Sequence, residues 1–170
     1  MYFCGMKEKC LKIVGTALLA VAMLCGCATS EERAARKAEQ MKKVAAALNA
    51  RDYKISVTQM HPMSGPSKPV TYGYSVEVRN DSLFSYLPYF GRAYNVPYGG
   101  GKGLNFSAPI ESYKESVAKN GMRRIEIGLT NEEDTYLYML EVFDSGSASV
   151  SVQARQREHI SYSGNVELKD

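Results

Sequence analysis

The chain has 170 residues, 45% apolar and 23% charged, with no Trp and 12 Tyr, enough for one hydrophobic core and too few for two comfortable domains. Its formal charge of +3 falls close to zero once the leader containing Lys7, Lys9, Lys12 and Glu8 is set aside. The focused basic excess of a nucleic-acid binder is therefore absent, and no nucleic-acid partner is expected. All four cysteines (Cys4, Cys10, Cys25 and Cys27) precede Ala28, so the domain beyond them has neither an internal disulfide nor a thiolate metal site.

Met6-Lys7-Glu8-Lys9-Cys10-Leu11-Lys12 makes a short positive start, for which Met6 reads as a better initiator than Met1, and an apolar run from Ile13 to Leu24 follows. That run is too short to span a hydrocarbon layer, which takes about 20 residues, so it reads as the core of a signal peptide. It ends in Leu24-Cys25-Gly26-Cys27, which resembles a bacterial lipobox. The resemblance implies removal of residues 1–26 and acylation of Cys27, whose chains anchor the protein stably to a membrane. By resemblance to sorting rules, Ala28 after that cysteine favours the outer membrane, while Glu31 and Glu32 leave the periplasmic and surface faces both open.

Residues 27–52 are expected to form the anchored segment and one helix. Ala34, Ala38, Met41, Ala45 and Leu48 recur at helical spacing, Thr29 and Glu32 fit a capping box, and Asn49 with Asp52 ends the run. From Tyr53 to Asp170 a single β domain is expected, because the period of the apolar residues switches to two. Tyr53, Ile55 and Val57 make the first strand, Tyr72 to Val78 the second, and Leu83 to Leu87 the third after the tight turn Asn80-Asp81. Residues 110–119 fit a strand or a helix. Asn120-Gly121 has the composition of a type I′ turn before Ile125, Ile127 and Leu129. Tyr136 to Phe143 is apolar on both faces, which predicts a strand covered on both sides. Ala148 to Ala154 and Ile160 to Leu168 complete about eight strands. An antiparallel meander closed into a small lipocalin-like barrel is expected, with a β-sandwich as the alternative, since closure removes exposed edges.

Residues 85–106 are too long for a hairpin and rich in aromatics, Gly and Pro, a composition found in functional loops and in self-packed Ω loops. Tyr89, Phe90, Tyr94 and Tyr98 offer stacking faces, and Arg92 and Lys102 offer cations, suited to a glycan or a small anion. The alternative is a loop whose tyrosines plug the mouth of the barrel. Arg155 and Arg157, beside the last hairpin, are anion candidates or plain solubilising charges.

This stretch, together with Ala108-Pro109-Ile110, Asn131-Glu132-Glu133-Asp134-Thr135-Tyr136, Val142-Phe143-Asp144-Ser145-Gly146-Ser147-Ala148 and Gln153-Ala154-Arg155-Gln156-Arg157, resembles a Bacteroides-group lipoprotein family, domain of unknown function 4251. The resemblance covers nearly the whole mature chain. It implies the fold and the envelope location and no activity.

The residues for catalysis are not assembled in the sequence. No serine sits in a Gly-x-Ser-x-Gly elbow and no cysteine nucleophile remains in the domain. His61 and His159 are far apart and outside any metal-ligand spacing. Glu132, Glu133 and Asp134 lack the frame of a calcium loop and read as a solvated turn. Gly101-Lys102-Gly103 is not a phosphate loop. Neither an enzyme, a cofactor nor a metal is expected. The sequence points to an envelope binding module for a glycan, lipid or peptide acting through residues 86–106, or to a structural or assembly lipoprotein acting by protein contacts.

Overall fold

The computed structural model describes residues 30–71, 73–94, 103–119 and 121–168. The chain divides into two units, Met1–Lys37 and Ala38–Asp170. Helix α1 is Ser30–Asn49. In its first turns Arg36 pairs with Glu32 four residues earlier, so Glu32 has a partner other than the expected cap; Thr29 lies outside the described residues.

The expected apolar stripe of α1 is corrected. Ala34, Ala38 and Ala45 are exposed and Met41 is 36% exposed. The residues that enter the core are Val44 and Leu48, with Ala47 half-buried between them. Only the last turns of the helix are covered, and burying side chains of this size contributes about 1.5–3 kcal/mol each. The helix stops in a Schellman arrangement: Asp52 donates to the Ala47 carbonyl (3.2 Å), Arg51 donates to the Leu48 carbonyl (3.1 Å), and Arg51 takes a left-handed φ of 51°. The Arg51 guanidinium then lies 4.2 Å from the centroid of the Tyr113 ring. Arg123 donates to the Ala45 carbonyl (3.3 Å) and the Asn49 side chain (2.8 Å), placing a cation at the negative end of the helix.

The domain is mainly β, as expected, with ten strands in place of about eight. They are β1 Tyr53–Pro62, β2 Lys68–Pro69, β3 Ser75–Arg79, β4 Ser82–Leu87, β5 Leu104–Pro109, β6 Ser112–Val117, β7 Arg123–Thr130, β8 Thr135–Val142, β9 Ser147–Ala154 and β10 Ile160–Glu167. The two additions are the short β2 and β5, whose first residues read as loop in the sequence. All pairings are antiparallel, in the order β5-β4-β3-β1-β10-β9-β8-β7-β6 with β2 on β1. The first and last long strands pair, as in a barrel, but β5 and β6 do not, and the sheet curls into a half-barrel. Adjacent residues of their link are drawn to different neighbours: Ile110 donates to the Asp81 carbonyl in the β3–β4 turn (2.9 Å), and Glu111 donates to the Gly128 carbonyl on β7 (3.0 Å).

Alternation decides what is buried. Ile55, Val76, Leu83, Ile127, Tyr138, Leu140, Val150 and Tyr162 are fully enclosed, while their sequence neighbours on the same strands face outward. Strand β8 corrects an expectation, because Leu137 is 38% exposed and Phe143 42% exposed. It is central in hydrogen bonding and covered on one face only. Asn80 and Asp81 both have positive φ (51° and 53°) between the paired Arg79 and Ser82, the geometry of a two-residue type I′ turn. Of the turn expected at Asn120-Gly121, Asn120 lies outside the described residues; on either side Ala118 donates to the Met122 carbonyl, and Gly121, at φ 82°, donates to the Ala118 carbonyl. Between Val57 and Gln59 the register of β1 against β10 shifts. A Cβ on Gly164 would lie 2.0 Å from the Ser56 carbonyl oxygen, so glycine is what allows the two strands to approach there.

Candidate functional site

The described start of the aromatic stretch is zipped onto residues 156–158. Ala93 bridges Arg157, the Tyr94 backbone N–H donates to the Gln156 carbonyl (2.8 Å), and the Glu158 backbone N–H donates to the Arg92 carbonyl (2.9 Å). The Tyr89 hydroxyl lies within donating distance of the carbonyls of Arg92 (2.8 Å) and Glu158 (3.1 Å). Burial, with Glu158 close by, pushes the pKa of that hydroxyl up. Tyr162 donates to the Pro88 carbonyl (2.7 Å). Tyr89 is thus half-buried and spent on holding the chain.

The other sequence candidates separate. Phe90 is exposed, with the Lys68 ammonium 3.6 Å from its ring centroid. Tyr94 is largely exposed. The Arg92 side chain points to solvent, with Nε 4.0 Å from a Glu158 oxygen. Arg157 is buried, 3.2 Å from Glu133 and 5.6 Å from the Tyr89 ring centroid. Arg155, two residues away, is exposed. The Tyr89 ring and the Arg157 guanidinium are therefore brought together; Arg92 and Tyr94 join them through backbone bonds alone, while the side chains of Phe90, Arg92, Tyr94 and Arg155 are exposed. Cys27, Tyr98 and Lys102 lie outside the described residues.

The β7–β8 turn is not the solvated acidic turn expected. Asn131 Oδ1 accepts from the backbone N–H groups of Glu133 (2.8 Å) and Asp134 (2.9 Å). Asp134 is buried, and its carboxylate accepts from Thr135 (2.8 Å), Arg155 (3.2 Å) and Gln156 (2.9 Å). Charge-assisted bonds to three backbone donors explain why a carboxylate tolerates that burial. Glu132 is exposed, and Glu133 is held by Arg157.

Between this turn and β5 lies a cleft of about 450 Å³, lined by Asn105 to Pro109 and Thr130 to Glu133. One wall is the edge strand β5, and the other is the turn that joins β7 to β8. Phe106 forms its apolar part, with its ring centroid 4.6 Å from that of Tyr136. The Tyr136 hydroxyl is buried with no hydrogen bond of normal geometry among the described residues. Burial raises its pKa, against the opposing pull of Arg157 and of the Asn131 side chain close by. Tyr138 donates to Ser85 Oγ (2.9 Å), which donates to the Leu104 carbonyl (2.7 Å), and this relay fixes β5 at the edge of the cleft. The cleft residues Asn105 and Phe106 close the stretch singled out in the sequence, whereas the contribution of Thr130 to Glu133 was missed. The signal for it was the Asn131 to Asp134 turn chemistry.

His61 is engaged at both ring nitrogens, with Ser67 Oγ at 2.7 Å and Ser163 Oγ at 2.8 Å, and so pins the β1–β2 link to β10. Among the described residues there is no group of three metal-ligating side chains, and no helix is long and apolar enough to cross a membrane.

No curated protein matches the chain. A similar solved structure is that of a DUF4251 family protein from Bacteroides eggerthii DSM 20697, 19% identical, with a TM-score of 0.60 over 78% of this chain and 89% of that one. At that identity the likeness shows the fold alone. The sequence pattern of DUF4251, a domain of unknown function, matches residues 35–166. The chain belongs to the DUF4251 family.

Proposed function

We propose that the chain is a lipid-anchored cell-envelope protein, tethered through Cys27 after removal of residues 1–26, whose β domain is a non-enzymatic binding module for a glycan, lipid or peptide. The observation that carries the binding reading is the cleft. An up-and-down meander gains stability by pairing its last two edges, yet here the edges are held apart. Beside the unpaired edge strand β5, the cleft is walled by Asn105 and Ser107 of that strand and by Asn131 and Glu132 of the β7–β8 turn, with Phe106 among them. A few convergent polar groups around an aromatic suit a ligand that carries both hydroxyl or amide groups and an apolar face. The anchor rests on the Leu24-Cys25-Gly26-Cys27 pattern, and its favoured destination is the outer membrane.

Two measurements test this reading. Mass spectrometry of the native protein is expected to find a diacylated or triacylated Cys27 at the N-terminus; an unmodified N-terminus elsewhere overturns the anchor. Thermal shift against envelope glycans, lipids and peptides is expected to give at least one stabilising class, lost in Asn131→Ala and Glu132→Gln. A flat response to all three classes sets the binding module aside. It would leave the structural or assembly role, for which Leu137 and Phe143 are exposed apolar side chains on the outer face.

A further inference from the structure

The outer face of β3, β4 and β5 carries an aromatic that folding does not account for. Tyr74, just before β3, and Tyr86, on β4, stack with ring centroids 5.0 Å apart and planes 23° apart. Tyr86 is still 54% exposed. Tyr74 covers one face of that ring and fixes its orientation, which leaves the other face to solvent. The second aromatic on this face, Phe84, is already covered: the Arg79 guanidinium lies 4.6 Å from its centroid and is itself paired with Glu77 at 3.2 Å.

The strand register surrounds Tyr86 with hydrogen-bonding groups. Ser75 is its partner on β3 and Asn105 its partner on β5, so their Cβ atoms stand about 4.5–5.5 Å away on the same face. Asn105 also lines the cleft, so the open ring and the cleft share a wall. Folding alone gains little from an aromatic left half in water between a serine and an asparagine.

A pyranose ring matches this surface. Its axial C–H groups present an apolar face to the aromatic, and its equatorial hydroxyls reach neighbouring amides and hydroxyls. An acyl chain would need a continuous apolar groove, which Ser75 and Asn105 interrupt. Charge narrows the class further. On these strands the Arg79 guanidinium is already paired with Glu77, and the Glu132 carboxylate stands exposed at the cleft, which disfavours a polyanionic glycan.

We propose that Tyr86 is the stacking platform of a neutral-glycan site, with one sugar ring on its open face, held at its rim by Ser75 and Asn105, and the chain continuing over the β5 edge into the cleft. This rests on the binding-module reading and commits it to one ligand class.

The test is native affinity electrophoresis of the full chain in non-ionic detergent, through gels containing mannan, galactomannan or mixed-linkage β-glucan, with polygalacturonate as the acidic control. At least one neutral polymer is expected to retard the protein. Tyr86→Ala should weaken that retardation about five- to tenfold, as expected for loss of one stacking ring. Tyr86→Phe should keep it, and Asn105→Ala should weaken it without changing the circular dichroism spectrum. No retardation in any neutral gel, retardation by polygalacturonate alone, or a Tyr86→Ala protein that runs as the parent does overturns the proposal. If a lipid or peptide instead gives a thermal shift that Glu132→Gln abolishes and Tyr86→Ala leaves intact, the glycan site falls while the binding module stands.

Discussion

Replacing Asp134 by alanine removes a carboxylate that serves three backbone donors, and the cost follows from what each donor has left. Arg155 N–H keeps a second acceptor in the Thr135 carbonyl at 3.1 Å. Thr135 and Gln156 N–H lose the acceptors at 2.8 and 2.9 Å that the carboxylate provides. Stranding a buried donor costs about 1–3 kcal/mol, and Thr135 is exposed enough for water to replace the lost bond. A total of about 2–4 kcal/mol results, largely from Gln156 and from the collapse of the turn. The Asp134→Asn change would retain one oxygen but set an amide N–H₂ against Gln156 N–H, for about 1–2 kcal/mol. In urea, with a slope of about 1.5–2 kcal/mol/M, the alanine variant should unfold at a midpoint about 1–2.7 M lower with the slope unchanged. A midpoint within about 0.2 M of the parent would refute the claim that this carboxylate organises the turn. The same variant should lose ligand response at the cleft, because Asn131 and Glu132 belong to the turn that Asp134 fixes.

Gly164→Ala should be more damaging than a surface Gly→Ala change, by about 3 kcal/mol or more, because the clash at 2.0 Å is with backbone; a melting temperature within about two or three degrees of the parent would count against it. The Glu167 carboxyl is held below the ordinary value of 4.5 by hydrogen bonds from Lys54 and Ser56. Its contribution is therefore present above that value and lost as pH falls through the lowered one. Both Lys54 and Glu167 are more than a third exposed, which limits the effect to under about 1 kcal/mol, seen as a slightly flatter acid limb of stability against pH in Glu167→Gln. Burial pushes the hydroxyls of Tyr53, Tyr138 and Tyr162 well above the ordinary value of 10. The stability linked to them is complete below that ordinary value and lost as pH rises beyond it, so alkaline spectrophotometric titration should ionise them only together with unfolding. Smooth titration of all tyrosines near the ordinary value in a folded chain would contradict their enclosure.

Much of the fold was legible because the sheet is wet on one side. In Tyr53 to Val57, Ile125 to Leu129 and Ala148 to Ala154, alternating residues meet opposite solvents, and the pattern of the chain reports that directly. Where the rule misled, a second constraint was at work. Tyr136 to Phe143 is apolar on both faces, yet its outer face is bare, because apolar composition records what a surface can bury and not what covers it. The α1 stripe pointed to Met41 and Ala45 in place of Val44, since only the last turns of the helix are covered and a periodicity fitted to the whole helix averages over exposed turns. Strand β5 went unread because Gly99 to Gly103 and Pro109 frame a short segment whose alternation, Leu104, Phe106 and Ala108, spans only six residues.

The site was harder to read, for a physical reason. In the β5–β6 link two adjacent backbone donors, Ile110 and Glu111, choose carbonyls of the β3–β4 turn and of β7, and backbone bonds of that kind leave no mark in side-chain composition. Arg155 and Arg157 make the same point. Two residues apart, they should share a face if the strand continued, but β9 ends at Ala154 and the chain turns Arg157 inward to Glu133. What the sequence did disclose was density: residues 86–106 hold more aromatics than a connecting loop requires. The structure divides them by cost. Tyr89 is fixed by hydrogen bonds that the fold needs, whereas Tyr86 is held by Tyr74 with one face free. An aromatic that is both immobilised and exposed loses little further entropy when a ligand stacks on it, and the role proposed for Tyr86 rests on that difference and not on the number of tyrosines.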